Sequence, residues 1–178
     1  MNNPQTYIID SDVFISAKNR YYAFDICPGF WDSLIHHHNI SNIHSIDKVK
    51  TELLTGAKTE DLVQWVKKDI PGGFFLSTND ESVLSAYAEI MLWVQRNPQY
   101  QNRAKAKFAT EADGWLVAYA MTHKVTIATN EQSRPESKNR ILLPDVCTKF
   151  NVTFKDTFFM LKDLSVRYEW KKQFDELF

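Results

Sequence analysis

Apolar and polar positions along the chain fall into short blocks of two kinds. Residues 7–10, YIID, begin with the strand formers Tyr7, Ile8 and Ile9, and Val13, Phe14 and Ile15 continue the run beyond two acids. Such a run suits a central parallel strand buried on both faces. From CPGFWDSLIHHH the period becomes helical, with Pro28 and Gly29 near the start and Phe30, Trp31, Leu34 and Ile35 as an apolar stripe. IHSI at 43–46 predicts a short strand, and Asp47 is placed to cap the helix DKVKTELLTG, which Gly56 ends. TEDLVQWVKK predicts a helix with Thr59 as cap, PGG at 71–73 is a break, and 80–95 is helical through Val83, Tyr87, Ile90, Met91 and Val94. NPQYQNRAK at 97–105 reads as a polar loop, 110–123 as a helix, VTIATN at 125–130 as a second buried strand and EQSRPESKNR as a flexible loop. Pro144 opens a short helix, NVTF is a short strand, and 156–178 is mostly helical.

Strands and helices therefore alternate, which predicts an α/β layered fold with a short, mostly parallel central sheet flanked by helices. In such sheets ligands bind beyond the carboxyl ends of the strands. Asp10 and Asp12 lie at one strand end, and Thr129, Asn130 and Glu131 at another. The 178 residues suit one domain, with 156–178 as its C-terminal helical segment. Lys and Arg number 21 against 22 Asp and Glu, so the balance does not announce a nucleic-acid binder, although local basic patches remain compatible with one. Cys27 and Cys147 form neither a CxxC pair nor zinc spacing and read as reduced core thiols. MNNPQT does not resemble a signal peptide, and no stretch approaches the roughly 20 apolar residues of a membrane span, so a soluble cytoplasmic protein is expected.

The acids carry the candidate chemistry. A charge in a buried strand is costly unless it is paired or binds a cation. One Asp after Ile9 could be a turn or cap residue; two, Asp10 and Asp12, favour a site. Glu52, in VKTELL, stands beside the stripe of Val49 and Leu53, and alone it reads as a solvated helix carboxylate. Asp113, in TEADGWLVAYA, heads the face of Leu116, Val117, Ala120 and Met121; its spacing from Thr110 is that of a capping box, and on spacing a cap and a site are equal readings. Gly114 beside it permits close approach and tips the balance to a site. Glu131 follows Thr129 and Asn130, whose polar groups suit a metal-bound water shell or the start of a loop. Carboxylates hold Mg²⁺ or Mn²⁺ as hard oxygen ligands, and such ions activate water and stabilise the in-line displacement of phosphodiester hydrolysis.

Together the segments YIIDSD, VKTELL, EADGWLVAYA and TIATNE resemble the PIN domain, whose pattern has an apolar strand ending in Asp, a helical Glu, an Asp opening A-D-x-x-L-[IV]-A-x-A and a strand ending T-x-[DE]. YAFDICPGFWDSL at 22–34 and ILLPDVCTKFNV at 141–152 are similar to recurrent stretches of a prokaryotic PIN-like family of unknown function. The resemblance implies a PIN-like three-layer fold, a Mg²⁺- or Mn²⁺-dependent ribonuclease, and kinship to VapC-type toxins of toxin–antitoxin modules, with RNA as substrate and an antitoxin as partner. Carried over, Asp10, Glu52, Asp113 and Glu131 form the acidic tetrad, Asp12 stands near the metal, and Thr129 and Asn130 support it. Glu131 departs from the Asp common at the fourth position, and Asn130 is a candidate to share its role.

Lys18 and Arg20, then Arg103, Lys105 and Lys107, then Arg134, Lys138 and Arg140 are cation clusters; each reads as a solvated face, or as a phosphate contact where it flanks an acid. Lys18, Arg20, Arg103, Lys105, Lys107, Arg134 and Lys138 are taken as the RNA-binding set. Tyr21, Tyr22 and Phe24 suit base stacking, core packing or an antitoxin interface. His36, His37 and His38 point in different directions on a helix and read as a polar helix end. The stretch 157–178, with Phe158, Phe159, Met160, Tyr168, Trp170, Phe174 and Phe178, has more apolar residues than one helix face needs and predicts a homodimer or partner interface. Two alternatives stand beside the nuclease. One is a catalytically silent PIN-like RNA- or protein-binding module. The other is a HAD-type phosphatase, whose D-x-D-x-[TV] opening DSDV fits, with Asp10 as nucleophile and Asp12 as general acid, but whose late acidic pair is missing.

Overall fold

The computed structural model describes residues 5–169. Five strands form one sheet: β1 (Tyr7–Ile9), β2 (Ile43–Ile46), β3 (Phe75–Leu76), β4 (Thr126–Ala128) and β5 (Phe154–Lys155). Their order is β3-β2-β1-β4-β5, and every pairing is parallel. Helices connect them: α1 (Ser11–Ser16), continued by a π-helical turn over Ala17–Tyr21, α2 (Pro28–Asn39), α3 (Asp47–Leu53), α4 (Asp61–Lys68), α5 (Glu81–Arg96), α6 (Asn102–Phe108), α7 (Asp113–His123), α8 (Leu143–Lys149) and α9 (Thr157–Asp163).

β1 is central and wholly buried, as the apolar run Tyr7, Ile8, Ile9 requires. The chain first builds outward through β2 and β3, then crosses to β4 on the other side of β1. That reversal opens a crevice at the carboxyl ends of β1 and β4, where side chains are free of the sheet. Ile9 pairs with Ala128, so the next residues, Asp10 and Thr129, face each other across it. α5 packs along α7, and α7 against α8, which brings the start of α7 to the same rim.

Several local expectations are corrected. The strand expected at 7–10 is β1, and Val13, Phe14 and Ile15, strand formers beyond it, belong to α1. Val13, Phe14 and Ala17 are buried one turn apart, a helical spacing that a short apolar run does not distinguish from a strand. Ile46 is the residue before α3, and Asp47 instead accepts a hydrogen bond from the Thr78 hydroxyl (2.8 Å). α3 ends at Leu53, before Gly56. Glu60, not Thr59, precedes α4, and its carboxylate pairs with Lys18 rather than capping. The expected loop at 97–105 holds the start of α6, which buries Ala104, Lys105 and Phe108. β3 follows the PGG break as a two-residue edge strand too short to show a period. After α9 the chain leaves the helix through Ser165 at φ 58°. Trp170, Phe174 and Phe178 lie outside the described residues. His37 is buried, and His38 Nδ1 sits 3.2 Å from His44 Nδ1, so only His36 is exposed as expected of a polar helix end. Tyr22 and Phe24 pack on Phe30 and Trp31, leaving Tyr21 exposed.

Candidate active site

Asp10 leaves β1 and precedes α1 in extended conformation. It is only 3% exposed, and its Oδ2 accepts a hydrogen bond from the buried Thr129 hydroxyl (2.9 Å). Asp12, in the first turn of α1, accepts the Asn130 N–H on both oxygens (3.2 and 3.0 Å). The two aspartates thus clamp the end of β1 to the end of β4. Thr129 Oγ1 in turn accepts the Glu131 N–H (3.2 Å), which fixes where Glu131 starts.

Glu52, in the last turn of α3, reaches across to the start of α7, where its Oε1 accepts the Ala112 N–H (2.7 Å). This bond satisfies a free donor at the helix start and sets Glu52 beside Asp113, the first residue of α7. Gly114 lets that helix start approach closely: a Cβ there would meet Tyr87 Cε2 at 3.0 Å and Phe108 Cε1 at 3.2 Å. Glu131 is held twice, by an ion pair with Arg140 and by the Leu143 N–H at the start of α8 (3.0 Å).

These acids sense one another. Burial pushes the Asp10 carboxyl well above the usual carboxylate range, and the negative charges of Asp113, Asp12 and Glu131 push it further, against the Thr129 hydrogen bond. Asp113 is raised for the same reasons, burial first and then Glu131, Glu111 and Glu52, with Arg140 opposing. Burial also raises Asp12, against the Asn130 N–H. The buried Cys147 thiol is pushed up by burial and by Asp113 and Asp10, which places it behind the acids. All five expected acids therefore meet on one rim, drawn from β1, α1, α3, α7 and the β4 end.

By chemical type the donor set suits a hard divalent cation: every candidate ligand is a carboxylate oxygen, and the buried Asp10 and half-buried Asp113 lie among like charges that a cation would relieve. Among the described residues no group of three or more Asp, Glu, His or Cys side chains is placed so that it could hold a metal ion. Three of the acids accept backbone donors, Asp12 from Asn130, Glu52 from Ala112 and Glu131 from Leu143, and Glu131 also pairs with Arg140.

A cleft of about 780 Å³ opens from Glu131 and is lined by Arg103, Lys107, Arg134 and Arg140 among polar neighbours. The positions of the other expected cations differ. Lys105 is buried, and its Nζ donates to the Gln95 carbonyl (2.8 Å), so it stabilises the α5–α6 corner instead of facing a ligand. Lys18 is paired with Glu60, Arg20 is exposed on the π-helical turn, and Lys138 is exposed on the loop, where its carbonyl accepts the Gln101 N–H (2.9 Å). The Asn130 side-chain oxygen accepts from the N–H and hydroxyl of Thr157 (3.1 and 2.8 Å), which anchors the start of α9. Arg140 was legible as a loop cation, but nothing local marks it as the partner of an acid nine residues earlier.

The fold has counterparts among solved structures. The crystal structure of FitAcB from Neisseria gonorrhoeae is similar over 84% of this chain and 96% of that one, with a TM-score of 0.53 at 20% identity. The structure of VapBC2 from Rickettsia felis bound to a DNA fragment from their promoter is similar over 85% and 98%, with a TM-score of 0.51 at 13% identity. No curated protein matches the chain. The expected PIN-like α/β fold, related to that of VapC proteins, is borne out. Residues 7–168, spanning both strand ends and every acid of the rim, match a domain of unknown function, and the chain belongs to that family, DUF4411.

Proposed function

We propose that this chain is a metal-dependent endoribonuclease of PIN type and the toxin of a toxin–antitoxin pair. The observation that carries the reading is the convergence of Asp10, Asp12, Glu52, Asp113 and Glu131 at the switch point of the sheet, with Asp10 raised by burial and by the charge of Asp113, and Asp113 by burial and by the charge of Glu131. Such a cluster is unfavourable by itself and becomes favourable around a cation.

Asp10, Asp113 and Glu131 would hold Mg²⁺ or Mn²⁺, with Asp12 and Glu52 beside them. The bound ion would supply Lewis-acid polarisation of the phosphate and an activated water. The chain's own residues do the rest. Thr129 orients the Asp10 carboxylate, the Asn130 N–H orients Asp12, and the Ala112 N–H orients Glu52. Arg103, Lys107 and Arg134 line the adjoining cleft and attract the RNA backbone. The likeness to VapBC2 supports an antitoxin partner. Exposed apolar side chains that suit a partner or second copy are Phe158, Phe159 and Tyr168 near the C-terminal end, with Tyr21 against Phe158.

The test is cleavage of total cellular RNA by purified protein in Mn²⁺ or Mg²⁺, beside Asp10→Asn and Asp113→Asn. Metal-dependent cutting lost in both variants is expected. Cutting that survives both would sink the reading. The Glu131–Arg140 pair favours one second reading, a silent PIN-like binding module, which predicts RNA or protein binding with no cutting by the wild type. The phosphatase alternative falls away with the PIN-like fold.

A further inference from the structure

Arg140 is unlike the other cations of the cleft. Its guanidinium pairs with one Glu131 oxygen while the Leu143 N–H takes the other, so each oxygen already accepts one donor. The Glu131 side chain is only 14% exposed, whereas that of Arg140 is 52% exposed. The acid is enclosed and the cation faces the cleft, where it joins Arg103, Lys107 and Arg134. Ser137 pins the Arg140 backbone by donating to its carbonyl (2.7 Å) and accepting its N–H (3.3 Å). The side chain can therefore move on a fixed base. The pair is open to solvent on its Arg140 side, where screening limits what the guanidinium gains from it, and the planar guanidinium matches a phosphate as well as it matches a carboxylate.

Resting on the metal-nuclease reading, we infer that Arg140 is a two-position cation: on Glu131 it neutralises the acid cluster and competes with the divalent ion, and off Glu131 it binds a phosphate of the RNA in the cleft. The Nη2 donor that holds Glu131 is not available to a phosphate while the pair is closed, and a cation at Glu131 would weaken that pair. A metal ion at the acids therefore frees Arg140 for the substrate, and metal and RNA bind cooperatively and reciprocally.

The test measures two affinities on the full chain, for Mn²⁺ by the paramagnetic resonance of the free ion and for a 2′-O-methyl oligoribonucleotide by fluorescence anisotropy with and without Mn²⁺. Arg140→Gln should bind Mn²⁺ about two- to fivefold more tightly, the range of an exposed ion pair expressed as affinity. It should also bind the oligonucleotide more weakly and lose the gain that Mn²⁺ gives the wild type. Arg140→Lys keeps a point charge without the fork, so it should hold wild-type Mn²⁺ affinity and still lose oligonucleotide affinity; this guards against a folding defect in the neutral variant. Unchanged or weaker Mn²⁺ binding by Arg140→Gln, with the wild type binding Mn²⁺, overturns the role of Arg140 alone. Failure of all three proteins to bind Mn²⁺ overturns it together with the metal-nuclease reading.

Discussion

Asp10→Asn should raise the stability of the metal-free protein while removing its response to metal. Asp10 is 3% exposed, its carboxyl is raised by burial and by Asp113, Asp12 and Glu131, and Thr129 gives it one hydrogen bond. The amide keeps an oxygen for the Thr129 hydroxyl and removes the charge. Relief of an undercompensated buried group is worth about 1–3 kcal/mol. For a chain of this length that is a rise of roughly 2–12 °C in Tm. With Mn²⁺ at a hundred times its Kd the wild type should gain about 2.7 kcal/mol, and the variant much less. The order of the two melting curves should therefore close or reverse on adding metal. An acid raised in the folded state binds its proton more tightly there than in the unfolded chain. Its penalty is absent below the unfolded value of about 4 and grows as pH rises through the folded one. Metal-free wild type should thus lose stability as pH rises from 4 through the folded values of Asp10 and Asp113, and Asp10→Asn should lose less. Differential scanning fluorimetry across pH, with chelator and with Mn²⁺, reads all of this. A metal-free Asp10→Asn that melts below wild type would refute the reasoning, because Asp10 would then be a structural acceptor whose charge the fold already compensates.

Other perturbations separate structure from chemistry. Glu52→Gln keeps an oxygen for the Ala112 N–H and should abolish cleavage with an unchanged melt, whereas Glu52→Ala should also cost about 0.5–2 kcal/mol by uncapping α7, read by urea denaturation. Lys105→Ala should destabilise by about 1–3 kcal/mol, since it leaves the Gln95 carbonyl unpaired, with no direct loss of oligonucleotide binding. Arg103→Ala and Lys107→Ala should do the reverse, weakening binding and its salt dependence with the melt unchanged, as titrations at two salt concentrations would show. Gly114→Ala should cost about 1–3 kcal/mol in a urea melt, because the added methyl meets the Tyr87 and Phe108 rings at 3.0 and 3.2 Å.

The sequence by itself determined the parts whose cause is local. Tyr7–Ile9 is an apolar run with no amphipathic choice but burial, and Ile43–Ile46 sets an Ile at each end of a short segment just before Asp47, so both strands were legible nearly to the residue. The long helices α5 and α7 carry enough turns for their period to show. The four acids were legible as a set only through the resemblance to the PIN pattern, since Glu52 by itself reads as a solvated helix carboxylate and Asp113 equally as a cap. Short elements were not. Val13, Phe14 and Ile15 satisfy either a strand or a helix in isolation, and only the turn at Asp10, where Thr129 takes the carboxylate, decides for the helix. The tertiary structure alone decided which cations face the site. Lys105 and Lys107 are two residues apart on α6, yet one is buried against Gln95 and the other lines the cleft. It also decided that Glu131 meets Arg140, because a contact across a loop depends on where α8 begins and not on any period in the sequence. Local patterns record what each residue does to its own backbone, while the charge balance of a site depends on which distant residues the fold places beside it.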